Sequence, residues 1–410
     1  MQFTRFLRND AVTAGEMSRH AGALTAGRVA GRHVVAIQDT SELALGGRRA
    51  REGGYGPVGK GGAVGGLLLH AVLALDAIGG ELLGLVSMQV WNRTGGKVRA
   101  RRGRATRDKE SRRWLDGLER ASEVLAEASS VTMLCDREAD FYELFARRPA
   151  HVDLIVRACQ DRRIEAPCGA LLFTFIDAQP AQGRCAVTIP AAPGRKARGA
   201  ELAVRFAPVL VCRPVNGADP ALPETVELTL VDVREISTPE DGSEPVHWRL
   251  LTSHGVADAA EARRIVDLYR RRWIIEEFFR TLKTAGFDIE AADIGAPPAM
   301  INFAAAATLA AVTVLQLVRA REGTTDQRLT DAFDPDDQPV LEAVSARLEG
   351  KTERQRNPHP KGSMAFAAWV LARLGGWTGY YGKPGPQVIR RGLEEFHTIK
   401  YGATLELHDV

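Results

Sequence analysis

The sequence predicts an α/β fold organised on one mixed sheet, and three observations predict it. Three strand-like apolar runs follow one another early in the chain with no helix between them: HVVAIQD (33–39), GLLLHAVLALDA (66–77) and LLGLVSMQVWN (82–92). Two further runs, SSVTMLCD (129–136) and DLIVRA (153–158), alternate with helical segments. Strands joined by short connections pair antiparallel, whereas a crossover helix brings the next strand in parallel. The third observation is chemical: the first and fourth of these runs both end in an aspartate, Asp39 and Asp136.

The elements follow in order. Residues 10–30 carry Ala, Met, Leu and His at helical spacing and predict one short helix. HVVAIQD is compact and apolar, as a buried strand requires. Residues 44–66 hold many glycines and several arginines and predict a long loop. The Gly79-Gly80 pair suits a hairpin between the second and third strands. A basic loop is expected over 93–107, then a helix over 108–128 with Trp114, Leu115, Leu118 and Leu125 on one side. A further helix is expected at 138–147. From 160 to 246 helical periodicity fades. Short β-type runs (CAVTI, ELAVRFAPVLVC, ETVELTLVDV) alternate there with Pro- and Gly-rich turns, so a β-rich insertion is expected. WRLLTS (248–253) returns to core-strand composition, and one long helix is expected from about 258 to 284, opened by Asp258 and Glu261 at capping-box spacing. Residues 298–321 and 363–375 read as helices separated by a polar connection. Three consecutive strands, then helix, strand, helix, strand and a later helix is the order of an RNase H-like core.

Composition bounds the function. The chain has 410 residues, 45% hydrophobic and 26% charged, which excludes disorder over its whole length. A net charge of +3 does not announce nucleic acid, but Lys and Arg gather in 97–113, 195–198, 263–283 and 351–361. Assembled into one surface these segments would follow a phosphate backbone; solvated surface charge is the plain alternative. The five cysteines form no CxxC pair, and the start MQFTRFLRND is charged where a secretory signal needs an apolar run. A reducing cytoplasm is therefore expected. The longest apolar stretch, Phe303 to Val318, is shorter than the ~18 residues that suggest a span and is expected to be a buried helix, with no membrane partner.

The acidic residues carry the chemistry. Asp39 and Asp136 would emerge at the same sheet edge if their strands are neighbours, and a carboxylate from a helix packed on the sheet would complete a cluster. Such a cluster is costly without cations. Two Mg²⁺ ions, which prefer oxygen ligands, would resolve the repulsion and serve in-line phosphoryl displacement. Each acid also has a plainer reading: Asp39-Thr-Ser-Glu42 as a capping box or Asx turn, Asp136 as the cap of the following helix, Glu276 as a solvated helical glutamate. On the expected helix, Tyr269, Arg272, Glu276, Arg280 and Lys283 are spaced 3, 4, 4 and 3 and share one stripe, while Leu268, Ile275, Phe279 and Leu282 form an apolar stripe. The first stripe suits an anionic phosphodiester with metal, or an exposed face laced by ion pairs.

Tyr269, Arg272, Glu276 and Lys283 spell Y-x2-R-x3-E-x6-K, which resembles the YREK signature of the insertion-sequence-four family of DDE transposases. IQDTSEL (37–43) and CDREADFY (135–142) resemble that family's first and second Asp segments, and HWRLLTS (247–253) and GSMAFAAWVLARLGGW (362–377) are similar to further family segments. The resemblance implies an RNase H-like core at 31–159 and 247–290, a β-rich insertion at 160–246, and a helical C-terminal region at 291–410 that serves dimerisation. It implies a cut-and-paste transposase: a nick frees a 3′-hydroxyl, a hairpin forms at the element end, the hairpin is reopened, and the end is joined to target DNA. The implied partners are double-stranded ends bounded by inverted repeats, target DNA and a second copy of the chain. Asp39, Asp136 and Glu276 would hold two Mg²⁺ ions, with Mn²⁺ as a substitute. Tyr269, Arg272 and Lys283 would hold phosphates, Arg157 would lie near the DNA, and Trp248 would support a flipped base. Arg280 stands where the family often carries Lys. Family members usually place a helical end-binding domain before the core. Residues 1–30 are expected to be a remnant of it, which leaves open a truncated, non-transposing or inhibitory copy. A general RNase H-like nuclease is the remaining alternative.

Overall fold

The computed structural model describes residues 2–48, 52–93, 110–165, 170–189, 196–216, 218–239 and 242–406. The strands are β1 (His33–Ala44), β2 (Gly56–Val58), β3 (Val64–Asp76), β4 (Leu82–Trp91), β5 (Ser130–Cys135), β6 (Val152–Arg157), β7 (Gly183–Ile189), β8 (Arg198–Cys212), β9 (Thr225–Glu235) and β10 (His247–Thr252). The helices are α1 (Gln2–Leu7), α2 (Ala14–Ala26), α3 (Arg112–Val124), α4 (Tyr142–Ala146), α5 (Leu172–Asp177), α6 (Ala259–Arg270), α7 (Trp273–Arg280), α8 (Pro297–Ala320), α9 (Asp337–Leu348), α10 (Met364–Leu374) and α11 (Pro386–Glu406).

The described strands form one mixed ten-stranded sheet in the order β2-β3-β1-β5-β6-β10-β9-β8-β7, with β4 also paired to β3. β1, β3 and β4 make an antiparallel meander. β5 joins β1 in parallel, and β6 joins β5 in parallel. β10 then runs antiparallel to β6 and to β9, so β7, β8 and β9 prolong the core sheet and do not stand apart as a separate β unit. β3 is buried on both faces for nearly its whole length, which is why it reads as a continuous apolar run and not as an alternation.

Side-chain alternation divides the core into two faces. Val35 and Ile37 pack with Ile275, Phe278, Phe279, Met300 and Leu315 from α7 and α8. Val34 and Ala36 face Trp114 and Leu118 of α3 and Phe145 of α4. The C-terminal helices close a third cluster around Phe366, Trp369, Ile389 and Phe396. α8 is long and apolar enough to cross a membrane, but more than half of its most apolar window is buried against the rest of the protein. Its Gln316 donates to the carbonyls of Leu82 and Leu83, tying it to β4. Cys135, Cys159, Cys185 and Cys212 are free thiols.

Several boundaries differ from expectation. β1 does not end at Asp39 but continues to Ala44, because β3 stays paired to it over that whole length. The expected helix at 138–147 starts as a 3-10 turn over Arg137–Ala139 and resumes as α4. The Gly-rich loop carries β2 and a 3-10 turn at Lys60–Gly62, and the polar connection before 363 carries α9. The basic loop at 93–107 lies, apart from Arg93, outside the described residues.

The expected single helix at 258–284 is broken. The amides of Arg271, Arg272, Ile274 and Ile275 all bond to carbonyls three residues back, which tightens the backbone between α6 and α7. The cause is long-range: three consecutive arginines are drawn to three places. Arg270 reaches the Thr188 carbonyl, Arg271 the Asp76 carbonyl and Arg272 the Asp39 carboxylate. A π turn over Thr281–Ala285 follows α7.

Candidate active site

In the parallel pairing of β1 and β5, Ile37 lies opposite Leu134 and the pairing stops there. Asp39 and Asp136 each lie two residues further on. Both therefore stand where the β1–β5 ladder ends, on the sheet face that carries Ile37 and meets α7. Asp39 Oδ1 accepts the Thr40 amide at 2.7 Å, and Asp136 Oδ1 accepts the Glu138 amide at 2.8 Å. Asp136 thus does cap a 3-10 turn, as its plainer reading requires, while its charge still acts on Asp39.

The break before α7 delivers Arg272 between two carboxylates. Its Nη1 donates to Asp39 Oδ2 at 2.9 Å and its Nη2 to Glu276 Oε1 at 2.5 Å. Burial opposes the Arg272 charge, but Tyr269, Asp39 and Glu276 outweigh it and hold its pKa above the ordinary value. Asp39 feels the opposite balance. Burial first, and the neighbouring Asp136 second, push its carboxyl up to about 7, although Arg272 and the Thr40 amide act against them.

Tyr269, on the last turn of α6, is buried, and burial raises its phenol pKa; Arg272 and Arg157 oppose that rise. The Trp248 ring meets the Tyr269 ring edge-on at 5.9 Å between centroids. Arg157, paired with Leu250 across the β6–β10 ladder, donates to the His247 carbonyl at 3.4 Å. Asp39, Asp136, Arg157, Trp248, Tyr269, Arg272 and Glu276 thus form one neighbourhood. Arg280 and Lys283 lie further along the chain. Arg280 is exposed, and Lys283 pairs with Glu290 at 3.3 Å, whose carboxylate also accepts the Ala44 amide, five residues beyond Asp39 on β1. The π turn takes Lys283 off the stripe expected for a continuous helix, while Arg280 stays one turn beyond Glu276 on α7.

Among the described residues no three His, Cys, Asp or Glu side chains are assembled as a ready metal-holding group. The donor chemistry nonetheless fits a hard divalent cation. All three acids offer oxygen only, and the half-buried Asp39 beside Asp136 carries a charge for which one guanidinium does not compensate. Arg272 spans Asp39 and Glu276, where repulsion between carboxylates would otherwise be unscreened.

Sequence reasoning overlooked the support on the other face. Gln38 and His70 are fully buried, and burial together with Arg113 holds the His70 pKa down to about 3, so the imidazole is neutral. Their signal was a polar side chain inside an apolar strand, HVVAIQD and GLLLHAVLALD. Arg113, beside Trp114 at the start of α3, gave no signal of its own.

A family model described as the transposase DDE domain matches residues 96–312, more than half of the chain, spanning Asp136, Arg157, Trp248 and the Tyr269–Lys283 segment; Asp39 lies before it. DDE transposases act on DNA and generally use divalent metal ions. By this match, the chain belongs to the DDE transposase family of enzymes, which cleave DNA and transfer its strands.

Proposed function

We propose that this enzyme is a cut-and-paste transposase of the YREK-bearing insertion-sequence-four type, working through a hairpin intermediate on paired inverted-repeat ends as a homodimer in the cytoplasm. The observation that carries the reading is the placement of Asp39 and Asp136 at the end of one parallel ladder, with α7 bringing Arg272 and Glu276 across them. The strand order β4-β3-β1-β5-β6, with β1, β3 and β4 antiparallel and β5 and β6 parallel additions, supports an RNase H-like core beneath the site.

In this reading Asp39, Asp136 and Glu276 would hold two Mg²⁺ ions, or Mn²⁺ in their place. Bound there, the ions would supply activation of the attacking water or 3′-hydroxyl and stabilisation of the leaving oxygen. The chain's own residues do the rest. Arg272, released from Asp39 and Glu276 once their charge is otherwise compensated, turns its planar fork to a phosphate of the scissile strand. Tyr269 is mainly a phenol at neutral pH and donates to a phosphate oxygen. Arg157 adds a half-buried positive charge beside them. Trp248, held edge-on by Tyr269, offers a face to an unstacked base, a contact of roughly 1–3 kcal/mol. Arg280 and Lys283, beyond Glu276 in the chain, are assigned to phosphates further along the duplex.

The test is a supercoiled-plasmid nicking assay on the natural flanking ends, with and without Mg²⁺, beside Glu276→Gln and Asp136→Ala. Metal-dependent nicking at the element ends, lost in both variants with DNA binding retained, is expected. Undiminished cleavage by Asp136→Ala overturns the site. Cleavage without preference for any end replaces the reading with a general nuclease.

A further inference from the structure

The two aspartates, taken as the metal-holding residues of the proposed function, share a common support on the α3 side of the sheet. Asp39 Oδ1 is held by the backbone N–H of Thr40, and Asp136 Oδ1 by the backbone N–H of Glu138. The side chains of those two holders are gripped by one residue. Arg113 Nε donates to Thr40 Oγ1 at 2.7 Å, and its Nη2 donates to Glu138 Oε2 at 2.5 Å. Nη1 donates to the Glu110 carbonyl at 2.7 Å, so all three guanidinium nitrogens are engaged. The side chain is 10% exposed, and its charge lies 5.9 Å from the Trp91 ring centroid and 5.6 Å from that of Trp114. A guanidinium is planar and rigid, so its spacing of donors is transmitted to whatever it grips.

A second tie closes the frame from below. Arg113 can only donate, so the Thr40 oxygen accepts from it and the hydroxyl proton is directed to His70 Nδ1 at 2.9 Å. His70 Nε2 then donates to Gln38 Oε1 at 3.2 Å, and the Gln38 amide donates to Cys135 Sγ at 3.2 Å. Gln38 immediately precedes Asp39, and Cys135 immediately precedes Asp136. The residues before the two aspartates are thus tied to each other, and residues after them are tied through Arg113. A buried polar chain of this kind is costly against an apolar core unless fully satisfied, and here each link is made once and in one direction.

We infer that Arg113 is a positioning residue that sets the separation of the Asp39 and Asp136 carboxylates for divalent metal, without itself touching metal or DNA. Partners that orient ligands from behind in this way are typically worth about 10- to 100-fold in metal affinity.

The experiment is a Mn²⁺ titration of the full chain followed by electron paramagnetic resonance, with DNA-end affinity measured in EDTA alongside. Arg113→Ala should weaken Mn²⁺ binding about tenfold or more, Arg113→Lys should restore part of the loss, and end affinity in EDTA should stay at the wild-type value. Thr40→Val, which cuts the grip but keeps the backbone N–H on Asp39, should weaken Mn²⁺ binding in the same direction. Asp39→Asn serves as the reference for the site itself. If Asp39→Asn loses Mn²⁺ while Arg113→Ala binds it like wild type, the clamp is refuted and the carboxylate assignment stands. Should Arg113→Ala not fold, wild-type affinity in Thr40→Val refutes the clamp equally. Wild-type binding by Asp39→Asn removes the carboxylate assignment and the clamp with it.

Discussion

Replacing Asp39 by asparagine removes one charge with little change of shape, and it should make the metal-free protein more stable at alkaline pH while destroying its activity. In the folded chain, burial and then Asp136 raise this acid from the usual 3.8 to about 7. The side chain is only 16% exposed, so solvent screens little of the effect. Between those two pH values the folded protein keeps a proton that the unfolded chain has lost. Stability therefore falls as pH rises through the window, with no penalty below 3.8 and the full penalty above about 7. At ~1.4 kcal/mol per tenfold change in proton affinity, the interval corresponds to a penalty on the order of 4 kcal/mol. Part of it has already developed at mildly acidic pH, so the advantage of Asp39→Asn should grow by about 2–3 kcal/mol between pH 5 and pH 8.5. The assay is urea unfolding in EDTA, followed by tryptophan fluorescence, at both pH values. Added Mg²⁺ should close the gap at pH 8.5 by stabilising the wild type alone. A variant less stable than wild type by the same margin at both pH values would show that Asp39 ionises at no cost, and the electrostatic case for a cation at this site would fall.

Three other outcomes are expected. Arg162→Ala should destabilise the protein by roughly 3–5 kcal/mol in the same unfolding assay, because it takes the guanidinium from the fully buried Asp140 carboxylate, which accepts from Arg162 Nη2 at 2.7 Å and keeps the Cys159 and Gln160 amides. Gly392→Ala should cost about 1–3 kcal/mol, read as a loss of C-terminal protection in hydrogen exchange, since a Cβ there would collide with the backbone of Leu371 where α11 crosses α10. Trp248→Ala should slow hairpin formation about tenfold or more while sparing the first nick, with Trp248→Phe recovering most of the rate, if base stacking is its role; gel analysis of end products separates the two steps.

Much of the architecture was legible because it is local. The strand runs at 66–77, 82–92, 129–136 and 153–158 agree with β3, β4, β5 and β6 to within two residues at either end, since each is an apolar run bounded by turn residues. Leu268, Ile275, Phe279 and Leu282, read as one apolar stripe, are all buried in the same cluster. Strand ends and helical spacing brought Asp39, Asp136 and Glu276 forward as candidates, and the resemblance to the YREK family implied their partnership.

What the chain decides only once folded is whatever depends on residues far apart in sequence. The helix over 258–284 is continuous in local propensity, yet it breaks at Arg271-Arg272 because a carboxylate 233 residues away draws Arg272 down onto the sheet. The π turn after α7 separates Lys283 from a stripe that periodicity alone would have kept intact. The β-rich segment reads locally as an insertion, but whether it stands apart or extends the core sheet was settled by β10, which offers one edge to β6 and the other to β9. Arg113 is the clearest case. In sequence it is one arginine in a basic stretch, and its meaning arises from contacts with Thr40, 73 residues away, and Glu138, 25 residues away. Sequence determined which residue types could do the chemistry, because patterning and spacing are properties of single segments. The tertiary structure decided how far apart they stand, because distance across a sheet is set by pairing, burial and charge among segments that the sequence keeps apart.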